Sequence, residues 1–422
     1  MSATRMGKLS RLAAGLVILL VLAAVWLYIA SRLWRTRVPH DLELPRVELG
    51  DYFTADQLRR SGRFEGFERI DFVADAIAEL LALGGIALAG RRLARYFDAG
   101  RVATGVLITM FVGVVLWAVD LPFGLADHWW ERRYGISKED YGSWLVQTAG
   151  SLLIAVPLTA IVVALLMLIA GKLRQRWWLG AGPLLVAFGI VFGIGYAFTL
   201  DIGTKPLRDR ALAADIRRLA RIERTEKPSV RVEQVHDDTT AANAQAIGIG
   251  PIRKVLLTDT LLDGRFTDGA VRVVAAHELA HLARQHVHKG FVWFVLFTLP
   301  LWYLVALATR GLGGIARPEA VPLVLLVATA LQLAFMPLEN VISRRYEAEA
   351  DWVALGATRD PNSAKQLFAR LSTIDLAQPR PPHWDFVLLE DHPTIEQRIG
   401  MAQAWGAARP PGHAAAASPE GS

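Results

Sequence analysis

The chain contains no cysteine among its 422 residues. Disulfide bonds and thiolate metal ligands are therefore excluded, so any metal site must use His, Asp and Glu. Charged residues are also few, at 20%, and the net charge is only +6. The basic residues lie mostly beside apolar blocks, without the stripes and interleaved aromatic residues typical of nucleic-acid binding. The sequence thus predicts no nucleic-acid partner.

Apolar residues are abundant by contrast, at 53% of the chain with a mean hydropathy of +0.31. They gather in seven blocks, each close to the ~20 residues that a spanning helix needs. The first block follows Arg5, Lys8 and Arg11 but has no convincing cleavage site, so we predict a retained membrane helix. The seven blocks are residues 12–30, 72–89, 102–119, 151–170, 179–200, 291–308 and 321–338.

The second block carries two carboxylates, Asp75 and Glu79. They lie four residues apart on one helical face, so a bundle interior or a water-filled cavity could receive both. The alternative is an amphipathic helix that lies against the bundle.

The predicted fold is mainly α: a polytopic membrane protein with about seven transmembrane helices and a small α+β domain. Inside a polar insert, the periodicity predicts a helix at 207–222 and strands at 230–235, 243–250 and 255–257. Thr267 or Asp268 can cap the next helix. The sequence also predicts two soluble helices, at residues 340–355 and 363–371. The predicted divisions are a membrane domain with five spans (1–200), the insert (201–290), two more spans (291–338), a second soluble part (339–405) and a disordered tail (406–422).

The pentad HELAH, residues 277–281, matches the HExxH pattern. On a helix it places His277 and His281 on adjacent turns of one face, where both reach a single Zn²⁺, and it places Glu278 beside a metal-bound water. Chance supplies the pattern in roughly one such sequence in a hundred. Two surface histidines on an amphipathic helix therefore remain an alternative until a third ligand is found.

Helix geometry excludes two nearby histidines, His286 and His288, as the third ligand. His286 would lie about half a turn from the ligand face, and His288 roughly 10 Å further along the axis than His281. The metzincin pattern also fails, because Arg284 and Val287 stand where it needs Gly and His. We expect His286 and His288 to be polar residues at a membrane boundary.

The segment 340–351 follows the last apolar block and offers a better candidate. Asn340, Arg344, Glu347 and Asp351 fall within about 60° of one another on a helix, as a polar stripe aimed at one target. Two His ligands and a helical Glu would leave the fourth zinc position to water. A solvated face of Arg and Glu pairs is the alternative, and Glu349, which points elsewhere, is expected to be solvated in this way.

The chain resembles the M48 peptidases, and specifically the Ste24 or CAAX prenyl protease 1 type. The resemblance rests on HELAH, SRRYEAEAD, DHPTIEQRI, NAQAIGIGPIRKVLLTDTLL and DLPFGLADHWWERRYGISKEDYGSWL. It implies a chamber enclosed by the helices with the zinc site at one end, and it implies Glu347 as the third ligand. Asp351 then becomes a carboxylate that could orient a ligating imidazole, with Asn340 and Arg344 placed behind the ligands.

The resemblance also implies that His392 and Arg398 face the active site and help to position substrate or to stabilise an oxyanion. Asn243 opens the strand that in this family lies beside the zinc and could bind an extended peptide. Relatives often carry aromatic residues after this Asn, whereas Gln245 and Ala246 follow here. The substrate preference of the family is therefore not carried over.

The predicted activity is that of a zinc metalloendopeptidase with one Zn²⁺, in which Glu278 activates water with help from His392 and Arg398. Its partners would be a peptide or protein substrate, lipidated or membrane-associated, and membrane lipid, in a bacterial cytoplasmic membrane. An M48 quality-control protease without prenyl specificity is the main alternative, and a non-enzymatic carrier a remote one. A site-2-type protease is disfavoured, because Leu262, Asp263 and Gly264 precede the pentad in a polar insert.

The membrane orientation has two opposed predictions. If seven blocks span, the basic leader and the basic loops near residues 91–101, 172–176 and 310–317 share one side, which the positive-inside rule makes cytoplasmic. The catalytic insert would then lie on the other side. The resemblance implies the reverse, since the eukaryotic relatives expose this domain to the cytosol.

Overall fold

The computed structural model describes residues 3–225, 228–248 and 250–408. Within these ranges, seven helices are long and apolar enough to cross a bilayer. Each contains one of the seven predicted blocks, so the predicted fold class is confirmed. They are α1 (Ala3–Leu33), α2 (Ala55–Tyr96), α3 (Arg101–Tyr134), α4 (Tyr141–Leu173), α5 (Trp178–Gly203), α8 (His286–Thr309) and α9 (Val321–Thr358).

The outer surface of these helices is apolar. Leu88 and Leu153, for example, are 92% and 76% exposed, and a continuous apolar surface of this kind is expected to meet lipid. Leu83, Ile108 and Leu166 are instead fully buried where α2, α3 and α4 pack together. The bundle therefore has both a core and a lipid-compatible exterior.

The helix that carries Asp75 and Glu79 is part of this bundle. α2 packs along α3 and α9 and qualifies as a span by length and composition. Asp120 on α3 lies close enough to both carboxylates to interact with them electrostatically. These acidic side chains therefore share one region between α2 and α3.

The remaining elements form the polar part of the chain, in which three predicted strands and most predicted helices are observed. The sheet has the order β1-β2-β4-β3, with β2 parallel to β4 and the other pairs antiparallel, so β3 is an edge strand. The strands are β1 (Thr204–Pro206), β2 (Ser229–Glu233), β3 (Ala244–Ile247) and β4 (Lys254–Thr258). The helices are α6 (Arg210–Ile222), α7 (Asp268–Ala283), α10 (Pro361–Ile374), α11 (His383–Leu388) and α12 (Ile395–Ala407).

The helix that carries HELAH begins at a polar cap. The Thr267 hydroxyl accepts a hydrogen bond from the Ala270 backbone N–H at 3.2 Å, as predicted, and satisfies one of the free N–H groups of the first turn. Leu279 then packs into a core with Leu257 and Phe368. Burying each such side chain stabilises the fold by about 1.5–3 kcal/mol, which fixes the rotation of α7 about its axis.

The last membrane helix is longer than predicted. The sequence predicts a span ending at 338 and a separate helix at 340–355, whereas α9 runs without interruption from Val321 to Thr358. Pro337 lies inside it, because one proline removes a single backbone hydrogen bond and need not end a packed helix. The domain divisions stay a prediction, and the one at 338 falls within α9. The predicted tail lies outside the described residues from 409 onward.

Candidate metal centre

The structure brings His277, His281 and Glu347 together where α7 crosses α9. His277 Nε2 lies 3.0 Å from Glu347 Oε2 and 3.0 Å from His281 Nε2. His281 Nε2 is 3.4 Å from Glu347 Oε1. Each residue offers one donor atom, and these atoms lie within 4.8 Å of one another. Two imidazole nitrogens and one carboxylate are the donor set of many catalytic zinc sites, so these residues fit that ion.

Asp351 lies behind the first imidazole. His277 Nδ1–H donates to Asp351 Oδ1 at 2.9 Å, which leaves Nε2 directed at the site. Arg398 donates to both oxygens of Asp351 at 2.8 Å, so the buried carboxylate is paired. Burial lowers the pKa of His277, but hydrogen bonds to Asp351 and Glu347 outweigh burial and raise it to about 10. A metal ion that binds His277 therefore displaces a proton.

Arg398 faces the site, and its predicted role in positioning substrate or stabilising an oxyanion stays a prediction. Two of its guanidinium nitrogens are committed to Asp351, and the guanidinium lies over the Phe368 ring at 4.3 Å. It still lines the cavity beside the ligands. Its contacts are those of a residue that supports Asp351 and adds positive charge to the cavity wall.

His392 approaches the Glu347 carboxylate from the loop before α12. Its Nε2 lies 3.3 Å from Glu347 Oε2, and its Nδ1 lies 2.6 Å from Asp391 Oδ1. Burial lowers the pKa of His392, but Asp391 and Glu347 outweigh burial and raise it to about 9. The side chain is 47% exposed, so His392 stands at the open side of the site.

Glu278 is next to the ligands and lines a cavity of about 110 Å³. Asn243, His392 and Arg398 line the same cavity, as does Ala244 at the start of β3. Because β3 pairs only with β4 among the described strands, its other edge is open. An extended chain could therefore pair with β3 and lie beside Glu278.

Asn340 and Arg344 do not stand behind the metal ligands, in contrast to the expectation from the stripe. The Asn340 side chain donates to the Leu388 carbonyl at 2.8 Å. Arg344 donates to the carbonyls of Phe386, at 2.8 Å, and Glu390. Asn340 and Arg344 therefore contact the segment around α11, which leads to His392. Only Glu347 and Asp351 of the four contact the metal-centre histidine His277.

The prediction that His286 lies about half a turn from the ligand face is wrong, although His286 does begin the membrane helix α8. It assumed that the HELAH helix continues, whereas α7 ends at Ala283 and Gln285 adopts the left-handed conformation, with φ 58° and ψ 37°. This turn brings His286 back to the site, where its Nδ1 lies 3.0 Å from His281 Nδ1. His286 is only 5% exposed. The nearby His288 remains partly exposed.

The prediction that Glu349 is solvated is also wrong, because its side chain is completely buried. It accepts from Arg284 Nε at 2.7 Å and from the Arg37 backbone N–H at 3.0 Å, and its Oε2 lies 3.1 Å from His286 Nε2. The basic residues that balance it lie on other segments, so periodicity within α9 alone gave no sign of its burial. The sequence signal was only the excess of basic residues that follow HELAH.

Comparisons with known proteins agree with this geometry. Residues 206–406 match peptidase family M48, and residues 53–200 match the family described as CAAX prenyl protease N-terminal, five membrane helices. An uncharacterized metalloprotease of Bacillus subtilis, YhfN, is 27% identical over 300 residues, covering 68% of this chain and 70% of that protein. A CAAX prenyl protease 1 homolog of Arabidopsis thaliana is 25% identical over 270 residues, covering 60% and 63%.

The fold has a solved counterpart as well. The crystal structure of S. mikatae Ste24p superposes with a TM-score of 0.70 at 20% sequence identity, and the match covers 90% of this chain and 96% of that one. Together the two family matches take in most of the chain, on both sides of the boundary between the membrane helices and the sheet. The chain belongs to peptidase family M48 and is a multi-pass membrane metalloprotease.

Proposed function

We propose that the chain is a zinc-dependent endopeptidase that cleaves peptide bonds with a water molecule as nucleophile. The observation that carries the proposal is the convergence of His277 Nε2, His281 Nε2 and the Glu347 carboxylate. Zinc in a site of this kind lowers the pKa of water and polarises a carbonyl group. His277, His281 and Glu347 would hold the ion.

The protein's own groups supply the proton transfers. Glu278 takes a proton from the attacking water and returns it to the departing amine, as a general base and then a general acid. His392, at the open side of the site, donates a hydrogen bond to the oxyanion that develops on the scissile carbonyl. Asp351 keeps the His277 ring in place, and Arg398 compensates its charge.

The proposed substrate is an extended peptide segment that adds to the free edge of β3. Main-chain hydrogen bonds to an edge strand give affinity with little dependence on sequence. Asn243 and Ala244 line the cavity that Glu278 also lines, which supports this placement. Gln245 and Ala246 offer no aromatic surface, so the proposed function does not extend to specificity for prenylated substrates. We propose that the substrates are peptide segments of lipidated or membrane-associated proteins. We further propose that the protein lies in a bacterial cytoplasmic membrane and that its helices enclose a chamber.

The test compares Glu278→Gln with wild type in the cleavage of a quenched fluorescent peptide library. We expect kcat to fall by about 10²- to 10⁴-fold, because the general base is lost, while zinc content stays unchanged. Glu48→Gln is the matched control: Glu48 is an exposed carboxylate paired with Arg46 at 3.3 Å, and its loss should leave kcat unaltered. Full activity in Glu278→Gln would refute the assignment.

A further inference from the structure

A second pair of buried side chains lies behind the other ligating imidazole. We propose that His286 is a positioning residue that holds the His281 ring in the tautomer and orientation that a metal ion requires, and that Glu349 fixes His286 for this task. The inference rests on the proposed zinc site and extends it to His286, which follows HELAH, and to Glu349, the second glutamate of SRRYEAEAD.

The hydrogen bonds allow one consistent assignment of protons. His281 Nε2 faces His277 and Glu347, so metal binding needs this nitrogen bare and the ring proton on Nδ1. His281 Nδ1 lies 3.0 Å from His286 Nδ1, which must then accept. The proton of His286 consequently sits on Nε2, 3.1 Å from Glu349 Oε2, which can only accept as a carboxylate.

The His286 ring is held on its face as well as at its edges. It stacks on the Tyr346 ring, with centroids 4.7 Å apart and planes inclined by 8°. The Tyr346 hydroxyl accepts from Trp293 Nε1 at 2.9 Å and donates to the Leu33 carbonyl at 3.0 Å. Tyr346 also directly precedes the ligand Glu347 in α9, so the ring that supports His286 and the third ligand lie on the same helix.

Glu349 is equally constrained. Besides His286 it is contacted by Arg284 Nε at 2.7 Å, by Lys289 Nζ at 3.4 Å and by the Arg37 backbone N–H at 3.0 Å. The last contact comes from the segment after α1. A buried carboxylate held from three segments is a rigid acceptor, which suits a group that fixes the orientation of another side chain.

The two ligating histidines are thus supported in parallel. His277 reaches a buried carboxylate of α9 directly, through Asp351. His281 reaches another, Glu349, through His286. The two carboxylates follow Glu347 by two and four residues on the same helix, so α9 supplies a ligand and the supports of both other ligands.

The test measures zinc affinity of the purified full-length protein in detergent, by competition with a chromophoric chelator. His286→Phe keeps a ring on Tyr346 but has no acceptor, so the dissociation constant for zinc should rise about 10- to 100-fold. His286→Asn keeps an acceptor oxygen close to the position of Nδ1, so the rise should stay below about tenfold. His288→Phe is the control, because His288 is partly exposed two residues further on, and it should bind zinc like wild type.

The outcomes separate this inference from the proposed function. If His281→Ala loses zinc but His286→Phe binds it as tightly as wild type, the positioning role is refuted and the zinc site stands. If His281→Ala also binds zinc like wild type, the proposed function itself fails. Should His286→Phe not fold, His286→Ala takes its place: zinc affinity at least tenfold weaker than in His286→Asn supports the role, and equal affinities in the two variants overturn it.

Discussion

Asp375 is a partly buried carboxyl group that contacts the segment before β3, and its titration makes the stability of the fold depend on pH. It lies at the end of α10, and its Oδ1 accepts from the Ala242 backbone N–H at 3.3 Å. Burial raises its pKa from 3.8 to about 7, although the bond from Ala242 and the charge of Arg265 oppose the rise. The folded protein therefore favours the protonated form.

The sign of the pH effect follows from this rise. Because the folded pKa lies above the unfolded one, the contribution of Asp375 to stability is fully present below about pH 4 and is lost as pH rises through about 7. The loss has an upper limit of about 4 kcal/mol, at about 1.4 kcal/mol per pKa unit. Asp375→Asn keeps the acceptor oxygen without the charge, so we expect a higher Tm than wild type at pH 8 and a smaller difference at pH 5.

Thermal unfolding in detergent at the two pH values checks this expectation. Asp41→Asn is the control, because Asp41 is exposed and its substitution should change Tm equally at both pH values. A Tm difference for Asp375→Asn that is the same at pH 5 and pH 8 would contradict the assigned pKa.

At the scale of residues, the sequence predicted the groups whose spacing is set within one helix. His277 and His281 lie one turn apart, and Glu347 and Asp351 share a face, so helical geometry alone aligns each pair. The same rule failed for Asn340 and Arg344, because a shared face does not fix how far each side chain reaches. Glu349 and the pairing of Arg398 with Asp351 depend on contacts between distant segments, which no periodicity encodes.

At the scale of elements, the break between α7 and α8 decides where His286 goes. Gln285 holds the left-handed conformation there, which disfavours β-branched residues and suits glycine. We expect Gln285→Val to be less stable than Gln285→Gly by about 1–2 kcal/mol. Because His286 is the next residue, Gln285→Val should also weaken zinc binding, whereas Gln285→Gly should not.

A second left-handed residue provides the control for strain. Arg359 ends α9 with φ 54° and ψ 30°, at a distance of eight residues from Asp351. Arg359→Val should be less stable than Arg359→Gly by the same amount that separates Gln285→Val from Gln285→Gly. Neither Arg359 variant should change the zinc affinity. Melting curves and chelator competition on the four variants make the comparison. An equal loss of zinc affinity in both valine variants would show that general destabilisation is the cause.

The elements that composition predicted are the long ones. Each membrane helix contains a run of about twenty apolar residues, which outweighs every local preference. β1, α11 and α12 were not predicted; β1 and α11, with three and six residues, are too short to show periodicity. The predicted helix end at 338 is wrong, because the change from apolar to polar residues there does not end α9.

At the scale of the whole molecule, seven spans place the interhelical loops alternately at two ends. The loops between α2 and α3, α4 and α5, and α8 and α9 lie at one end, and the sheet and α10–α12 at the other. Short loops of the first end are basic, with Arg91, Arg92, Arg95 and Arg101 around the first and Lys172, Arg174 and Arg176 around the second. The leader before the first apolar block and the loop at 310–317 add further basic residues at this end. The two short loops at the other end carry fewer basic residues, with Arg32, Arg35, Arg37 and Arg46 around the loop between α1 and α2, and Arg132, Arg133 and Lys138 around the loop between α3 and α4.

This asymmetry predicts which side of the membrane holds the catalytic part. Basic residues in short loops are retained in the cytoplasm, so the metal centre should lie on the opposite side. Alkaline phosphatase fused after residue 408 should be active, and green fluorescent protein at the same place dark. A pair of fusions in the loop at residues 174–177 is the internal control and should give the reverse result. Fluorescence from the fusion after 408 together with fluorescence from the loop fusion would mean that one of the helices between them does not cross, and would place the metal centre in the cytoplasm.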